Sequence, residues 1–255
     1  MGISMFKVDL NSDLGESFGR YTLGSDEKII PLISSCNIAC GFHAGDPDVM
    51  RKTVATAAAN DCAIGAHPGY PDLQGFGRRD MALSPDEVYA TVVYQIGALQ
   101  GFCAAAGVSM AHVKPHGQLY NTAAISAEVS AAIVQAIRDV NPNLVIVGLA
   151  NSVLVQQAEK AGMRAANEFF MDRNYTDAGS LVPRSQANAV LHDENFAIAR
   201  VKEAIKSGCI ASESGKIIDV SVDTICVHGD TANALAFVQK LREEFSKESI
   251  EILPL

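Results

Sequence analysis

Short apolar runs alternate with longer stretches of helical periodicity along the chain, and most of the apolar runs end in polar residues. Apolar runs of this length are typical of buried strands. The pattern predicts strands at 6–10, 35–40, 63–66, 111–114, 144–149, 164–168 and 224–227. It predicts helices at 25–33, 47–60, 85–106, 126–140, 153–161, 193–208 and 230–245.

Several of the predicted helices carry the residues that favour helix ends. Asp46 followed by Pro47 is typical of an N-cap with proline in the first helical position. Ser84 and Glu87 have the spacing of a capping box, and Gly107 suits the end of the same helix. These residues predict that each loop after a strand leads directly into a helix.

The order of strand, polar loop and helix recurs roughly seven times, which predicts parallel strands joined by right-handed crossovers. A barrel and an open doubly wound sheet both fit this order. The barrel is favoured because nearly every strand ends in a side chain capable of chemistry, as at the rim of (β/α) barrels. We therefore expect one domain over 1–255, a distorted (β/α) barrel with roughly seven strands, plus a turn between two edge strands at 212–216.

Charge and composition narrow the class of partner. The 255-residue chain has a formal net charge of -9, and its Lys and Arg residues are scattered, which argues against nucleic-acid binding. Apolar runs such as 144–150 are too short to span a bilayer. The six cysteines include no Cys-x-x-Cys pair, so we expect buried free thiols in a reducing cytoplasm. A small molecule or a protein is the expected partner.

Titratable side chains collect at the predicted strand ends, where a closed sheet would bring them to one rim. Five of the six histidines lie at or just before such an end, and His192 is the exception. The strand-end residues are Asp13, Glu16, His43, Asp46, His67, Asp72, Lys114, His116, Glu168, Asp172, Arg173, His228 and Asp230. Asp46 and Asp230 are expected to act first as helix caps.

This set of residue types suits proton transfer or metal binding. Histidine titrates near neutral pH, while two imidazoles and a carboxylate can form an open metal site. Asp13, His43 and His67 are the candidate metal ligands, and acid–base catalysis without a metal is equally compatible. Nucleophile motifs such as Gly-x-Ser-x-Gly and nucleotide loops of the Gly-x4-Gly-Lys-[Ser/Thr] type are absent from the sequence.

The loop at 75–79, Gly-Phe-Gly-Arg-Arg, is the nearest approach to an anion-binding loop. Its backbone amides and two guanidinium groups could hold a carboxylate or a phosphate. A surface loop with solvated arginines explains the same residues equally well.

Six strand-end motifs together resemble the LamB/YcsF family. They are DLNSDLGE at 9–16, NIACGFHAGD at 37–46, GAHPGYPD at 65–72, VKPHG at 113–117, E-x3-DR-x-Y at 168–175 and VHGD at 227–230. The resemblance implies a distorted barrel of the glycoside hydrolase/deacetylase kind. It also implies participation in the ATP-dependent opening of 5-oxoproline to L-glutamate, together with 5-oxoprolinase subunits B and C.

Residue roles follow from placing that reaction on the motifs. The expected catalytic residues are Asp13, His43, His67, His116, Glu168 and His228. The expected substrate-binding or phosphate-binding residues are Asn11, Glu16, Arg79, Lys114, Asp172 and Arg173. The ATP site would be shared with, or carried by, the partner subunits.

Two other functions fit the same residues. One is a stand-alone, metal-dependent amidohydrolase or sugar deacetylase that uses Asp13, His43 and His67 on a divalent ion. The other is a non-catalytic subunit whose polar rim captures a small acid for a partner. Metal dependence distinguishes the first, and turnover that survives loss of every rim histidine distinguishes the second.

Overall fold

Seven parallel strands close into a barrel in the computed structural model, which describes residues 6–227 and 234–255. The strands within these ranges are β1 (Phe6–Leu14), β2 (Ser35–Ala39), β3 (Ala63–His67), β4 (Met110–Val113), β5 (Val145–Leu149), β6 (Ala165–Phe170), β7 (Cys209–Ala211), β8 (Ile217–Asp219), β9 (Thr224–Cys226) and β10 (Ile250–Ile252). Strands β1 to β6 pair in sequence order, and β9 closes the barrel by pairing with both β6 and β1. The predicted distorted barrel is confirmed.

Helices follow most of the barrel strands and surround the sheet. They are α1 (Asp26–Ile29), α2 (Pro47–Ala59), α3 (Pro85–Ala106), α4 (Gly117–Ile125), α5 (Ala127–Val140), α6 (Val153–Lys160), α7 (Glu194–Ser207) and α8 (Ala234–Lys247). The caps expected at Asp46 and Ser84 accept hydrogen bonds from the first turns of α2 and α3. Gly107 ends α3 in the left-handed conformation, with φ of 71°. The predicted cap Asp230 lies outside the described residues.

The sequence pattern placed one strand boundary incorrectly and missed two elements. Strand β1 continues to Leu14 instead of ending at residue 10, so Asn11 and Asp13 lie within the sheet and not in the following loop. Helix α4 was missed because its first residue follows a strand-end histidine that makes no side-chain cap hydrogen bond. Strand β10 was missed because it is short and pairs only with the first residues of β1. The expected turn between edge strands is confirmed as the antiparallel hairpin of β7 and β8.

The barrel interior is polar on the strands nearest the site. In β1 the side chains of Asp9, Asn11 and Asp13 lie on one face, because alternate residues of a strand share a face. Asn37 of β2 donates hydrogen bonds to Asn11 Oδ1 at 2.7 Å and to Asp13 Oδ1 at 2.8 Å. His112 Nε2 of β4 lies 2.7 Å from Asn37 Oδ1. A continuous polar network therefore crosses the barrel.

Apolar residues form two separate regions around this network. The main core lies between the sheet and the helices and includes Leu10, Ile38 and Phe169. A smaller group inside the barrel consists of Val145, Val147 and Ala166, with Leu255 packed against it. The polar network is therefore bounded by apolar side chains on its outer side.

Helix α3 connects this core to the loop that follows β3. Buried Gln95 accepts a hydrogen bond from Gly69 N at 2.9 Å and donates one to Gly69 O at 2.8 Å. Among the helices described by the structure, α3 is the one whose length and apolar content would suffice to cross a bilayer. Its buried face, which includes Val92, Ile96 and Leu99, packs into the main core.

Close packing between Gly65 and His112 gives a test of the polar interior. A Cβ atom at Gly65 would overlap the His112 ring, so Gly65→Ala should destabilise the fold by about 1–3 kcal/mol, the usual cost of overpacking. Chemical denaturation measures the free energy of unfolding. Gly97→Ala in α3 is the control, since nothing lies within 4 Å of its added Cβ and helical alanine is favourable. Equal stability of both variants would contradict the assigned packing.

Candidate functional site

A cavity of about 480 Å³ opens at the carboxyl ends of the barrel strands. Its charged and polar lining includes Asp13, Glu16, His67, Arg78, Lys114, His116, Tyr120, Arg173 and Arg184. Phe76, Leu149, Phe170, Leu181 and Val182 supply apolar walls. Several predicted rim residues from different strands thus meet at one cavity, in the position where (β/α) barrels carry their sites.

Lys114 lies at the centre of the polar groups, with only 2% of its side chain exposed. Its Nζ atom lies 2.9 Å from Asp13 Oδ1 and 2.6 Å from Glu168 Oε1. It also donates to Asn11 Oδ1 at 3.2 Å. Because β4 ends at Val113, Lys114 is the first residue beyond the strand and extends from the strand end across the barrel. One ammonium group therefore joins carboxylates from β1 and β6.

The charges of this cluster support one another. Burial favours neutral lysine, but the Asp13 carboxylate, the Cys226 sulfur and the Glu168 carboxylate keep the pKa of Lys114 well above its usual range. Burial also acts to raise the pKa of Asp13, yet His67 and Lys114 hold that pKa well below its usual range. Asp13 is therefore ionised at neutral pH. Its stabilising effect is present above the unfolded pKa of about 3.9 and is lost as the pH falls through the lower folded value.

Three histidines form a compact group beside Asp13. The rings of His43 and His116 stack with centroids 3.6 Å apart. His67 Nε2 lies 3.0 Å from His116 Nδ1 and 3.3 Å from Asp13 Oδ2. Burial, followed by the neighbouring histidines, lowers the pKa of both His43 and His116 well below the usual value. These two imidazoles are therefore neutral near pH 7.

Glu16 faces two of the histidines from the loop after β1. Its Oε1 atom lies 3.2 Å from His43 Nε2 and 3.7 Å from His116 Nδ1. One donor atom each from Glu16, His43, His67 and His116 lies within 4.8 Å of the others, which is an arrangement that could hold a metal ion. The trio expected from sequence shares His43 and His67 with this group, while Asp13 lies beside it.

The loop at 70–79 covers the histidine group. Its Phe76 carbonyl lies 2.8 Å from His116 Nε2. Gly77 has φ of 65°, and a Cβ atom there would lie 2.8 Å from both His43 Cβ and His116 Cδ2. Only glycine allows this backbone conformation and this close approach. Buried Asp72 secures the loop by accepting hydrogen bonds from Gly75 N and from the Arg79 side chain.

Arginine side chains give the cavity its positive charge. Arg78, Arg173 and Arg184 all line it. Arg173 donates to the carbonyls of Ala189 and Val182, and burial together with the nearby Arg184 lowers its pKa to about 10. The sequence favoured Arg79 as an anion ligand, but its side chain pairs with Asp72 and is not part of the cavity lining.

Four other predicted residues occupy different positions. Asn11 is buried beneath the cavity and contacts Lys114, while Asp172 is outside the lining and accepts a hydrogen bond from Leu191 N through its carbonyl. Glu168 is buried beneath Lys114. Burial, followed by the nearby Glu168 charge, raises the pKa of Tyr120 well above normal. His228 lies outside the described residues.

Sequence reasoning missed Arg184 and Tyr120, and it named Arg79 where Arg78 lines the cavity. Tyr120 lies in α4, a helix that the pattern failed to predict, and Arg184 lies in the long connection between β6 and α7. Asp72 and Arg79 lie in the same loop, and this could have indicated that they pair with each other. An arginine paired in this way is less available to bind a ligand. Which arginine faces the cavity depends on backbone geometry around Gly77.

Removing the central ammonium should expose its structural contribution. Lys114→Met leaves the buried Glu168 carboxylate without its cation and removes one of the partners of Asp13. We therefore expect a loss of about 3–5 kcal/mol in the free energy of unfolding at pH 7. Urea denaturation measures the change. The control is Lys160→Met, which removes an exposed lysine. A loss no greater than that of the control would contradict the central position of Lys114.

Known proteins resemble this chain over nearly its whole length. A relative from Bacillus subtilis (strain 168), named as the A subunit of 5-oxoprolinase, is 52% identical over 248 residues, covering 97% of this chain and 96% of that protein. One of the same name from Alkaliphilus metalliredigens (strain QYMF) is 51% identical over 251 residues, covering 98% of each. The crystal structure of the lactam utilization protein from Thermus thermophilus matches with a TM-score of 0.92 and 43% identity, covering 98% of this chain and 100% of that chain. The sequence model of the LamB/YcsF family matches residues 8–255, and the chain therefore belongs to the LamB/YcsF family.

Proposed function

We propose that this chain is a hydrolase subunit that opens 5-oxo-L-proline to L-glutamate at the expense of ATP. The observation that carries the proposal is the convergence of cationic, acidic and imidazole groups on one cavity. Relatives at 51–52% identity are named as the A subunit of 5-oxoprolinase, and a structural relative is named a lactam utilization protein. These names and the cavity point to the same class of substrate.

The chemistry of a five-membered lactam explains why activation is needed. Its amide is stabilised by resonance, so the carbonyl carbon is a poor acceptor for water. ATP, when bound, supplies a phosphoryl group that makes the lactam oxygen a better leaving group. The lining arginines fit phosphate and carboxylate groups, because guanidinium groups bind these anions through paired N–H donors.

Arg78, Arg173 and Arg184 would bind the anionic parts of the reactants. Arg173 is held in place through two backbone carbonyls, so its position is fixed before any ligand arrives. The apolar walls from Phe76 and Phe170 limit the space available to water. Such preorganised positive charge is effective because it needs no rearrangement as negative charge develops.

Proton transfer would fall to Asp13 and the adjacent histidines. Asp13 is ionised and lines the cavity, while its Oδ2 atom faces His67 Nε2. One of these groups would take a proton from the attacking water, and another would protonate the ring nitrogen as the C–N bond breaks. Lys114 and Glu168 lie beneath them and would keep Asp13 oriented.

Partner subunits belong to this proposal. The names of the relatives designate one subunit of an enzyme, which implies a complex of several chains. We infer partners that correspond to the B and C subunits of 5-oxoprolinase, an ATP site shared with or carried by them, and a cytoplasmic location. The sequence offers no phosphate loop of a recognised type, which suits a divided ATP-coupled enzyme.

A metal-dependent amidohydrolase that acts alone is the second candidate. The close group of Glu16, His43, His67 and His116 favours it, because such groups can hold a catalytic metal. Lactam opening by this chain without ATP or partners would support this candidate and overturn the divided mechanism.

Reconstitution tests the proposed function directly. Phosphate and glutamate release from ATP and 5-oxoproline is measured with this chain alone and with the B and C subunits. We expect activity only in the mixture. Asp13→Ala and His67→Ala should each lower the rate by at least about 100-fold, as expected for lost acid–base groups.

His192→Ala serves as the control for these variants, since His192 is exposed and is not part of the cavity lining. Circular dichroism checks that each variant keeps its secondary structure. Full activity of both cavity variants would show that this rim does not carry the reaction.

Two adjacent arginines provide a test of substrate binding. Arg78 lines the cavity, whereas Arg79 pairs with Asp72 outside it. Arg78→Gln should raise the KM for 5-oxoproline or ATP by about 10-fold to 100-fold, because a charge-assisted hydrogen bond contributes about 1.5–3 kcal/mol. Arg79→Gln should change KM much less. The reverse order, measured by steady-state kinetics, would favour Arg79 as the anion ligand.

A further inference from the structure

Two ring nitrogens that both act as acceptors, His67 Nε2 and His116 Nδ1, face each other in the cavity wall. His67 Nδ1 lies 2.7 Å from the Lys114 carbonyl, and His116 Nε2 lies 2.8 Å from the Phe76 carbonyl. A carbonyl oxygen can only accept, so each of these ring nitrogens carries the proton. In neutral rings, His67 Nε2 and His116 Nδ1 then face each other at 3.0 Å with lone pairs on both.

Neighbouring groups add further acceptors to the same small volume. Glu16 Oε1 lies 3.7 Å from His116 Nδ1 and 3.2 Å from His43 Nε2. Asp13 Oδ2 lies 3.3 Å from His67 Nε2. Carboxylate oxygens accept and do not donate, so they cannot relieve the facing lone pairs. A cation between His67 Nε2 and His116 Nδ1 would satisfy both lone pairs and would attract the Glu16 carboxylate.

The separations match those expected around one metal ion. Ligands placed about 2.0–2.1 Å from a tetrahedral zinc ion lie about 3.3 Å from one another. Three of the six separations among the donor atoms of these four residues are 3.0, 3.2 and 3.7 Å. All four residues supply donor atoms within a span of 4.8 Å. Two donors on one ion lie at most about 4.2 Å apart, and the His43 ring is stacked on His116, so the His43 side chain would rotate for all four donors to reach one ion.

Backbone carbonyls fix two of the three histidines, His67 and His116, in the form that metal binding requires. A ligating imidazole must present an unprotonated nitrogen, and a hydrogen bond from its other nitrogen sets that tautomer. The carbonyls of Lys114 and Phe76 make these hydrogen bonds for His67 and His116. The second carbonyl belongs to the loop that Gly77 allows to approach the rings so closely.

We propose that Glu16, His43, His67 and His116 bind one divalent transition-metal ion of the zinc class. Three imidazoles and one carboxylate are ligands that suit such ions. Asp13 is not one of the four ligands, because its Oδ1 atom is occupied by Lys114 and Asn37 and its Oδ2 atom lies beside His67.

The role of this ion in catalysis rests on the proposed function, whereas the binding of the ion does not. Glu16, His67 and His116 line the cavity that would hold the lactam, so the ion would adjoin the substrate. Metal binding itself can be measured without any substrate or partner subunit.

Cobalt provides a spectroscopic probe of the site. The full-length chain, prepared without a polyhistidine tag, is stripped with EDTA and titrated with Co2+ while visible absorption is recorded. We expect saturation at about one equivalent and displacement of Co2+ by Zn2+, as for a single site with nitrogen ligands. His67→Asn and His116→Asn should weaken binding by at least about 100-fold, and His192→Asn should leave it unchanged.

A second variant guards against loss of the fold. Glu16→Gln keeps the shape of a side chain that is only partly buried, and it should weaken Co2+ binding while the metal-free circular dichroism spectrum stays unchanged. Absence of saturable binding, or binding that survives in His67→Asn and His116→Asn, would overturn the proposal and assign the contact to a shared proton. Co2+ binding without 5-oxoproline turnover in the reconstituted complex would refute the proposed function alone.

Discussion

The buried ammonium of Lys114 is the interaction on which the cavity depends. It lies between the Asp13 carboxylate of β1 and the Glu168 carboxylate of β6, and it contacts Asn11 as well. Without it, these two carboxylates would repel each other. Transfer of these charges from water is costly, and only close pairing with further hydrogen bonds offsets that cost. Asn37 supplies one such bond to Asp13.

A polar barrel interior has a structural cost and a chemical use. The network of His112, Asn37 and Asn11 occupies volume that apolar side chains usually fill in (β/α) barrels. Apolar packing therefore concentrates between the sheet and the helices, where most of the main core lies. The hydrogen bonds of this network hold the charges beneath the cavity in fixed positions. Fixed dipoles and charges of this kind stabilise a transition state without reorganising.

Loops complete the site by bringing backbone groups to the histidines. Gln95 binds both backbone groups of Gly69, and Asp72 binds Arg79 and Gly75, so the loop after β3 is tied at two points. The Phe76 carbonyl then reaches His116 Nε2 and decides which nitrogen of that ring carries a proton. Loop backbone thus sets the chemical form of a residue that a strand end positions.

Local pattern and chemistry in the sequence determined the strand–helix order, most caps and the family. The Ser84 capping box, the Gly107 terminus and the hairpin at 212–216 depend on neighbouring residues alone, and all three are confirmed. The strand-end motifs also identified Asp13, His67, Lys114, His116 and Arg173 as residues that the cavity brings together. Tertiary structure decided what lies far apart in sequence: the extension of β1, the pairing of Lys114 with Glu168, and the choice of Arg78 over Arg79. These depend on strand pairing and loop packing, whose energies come from residues that no local window contains.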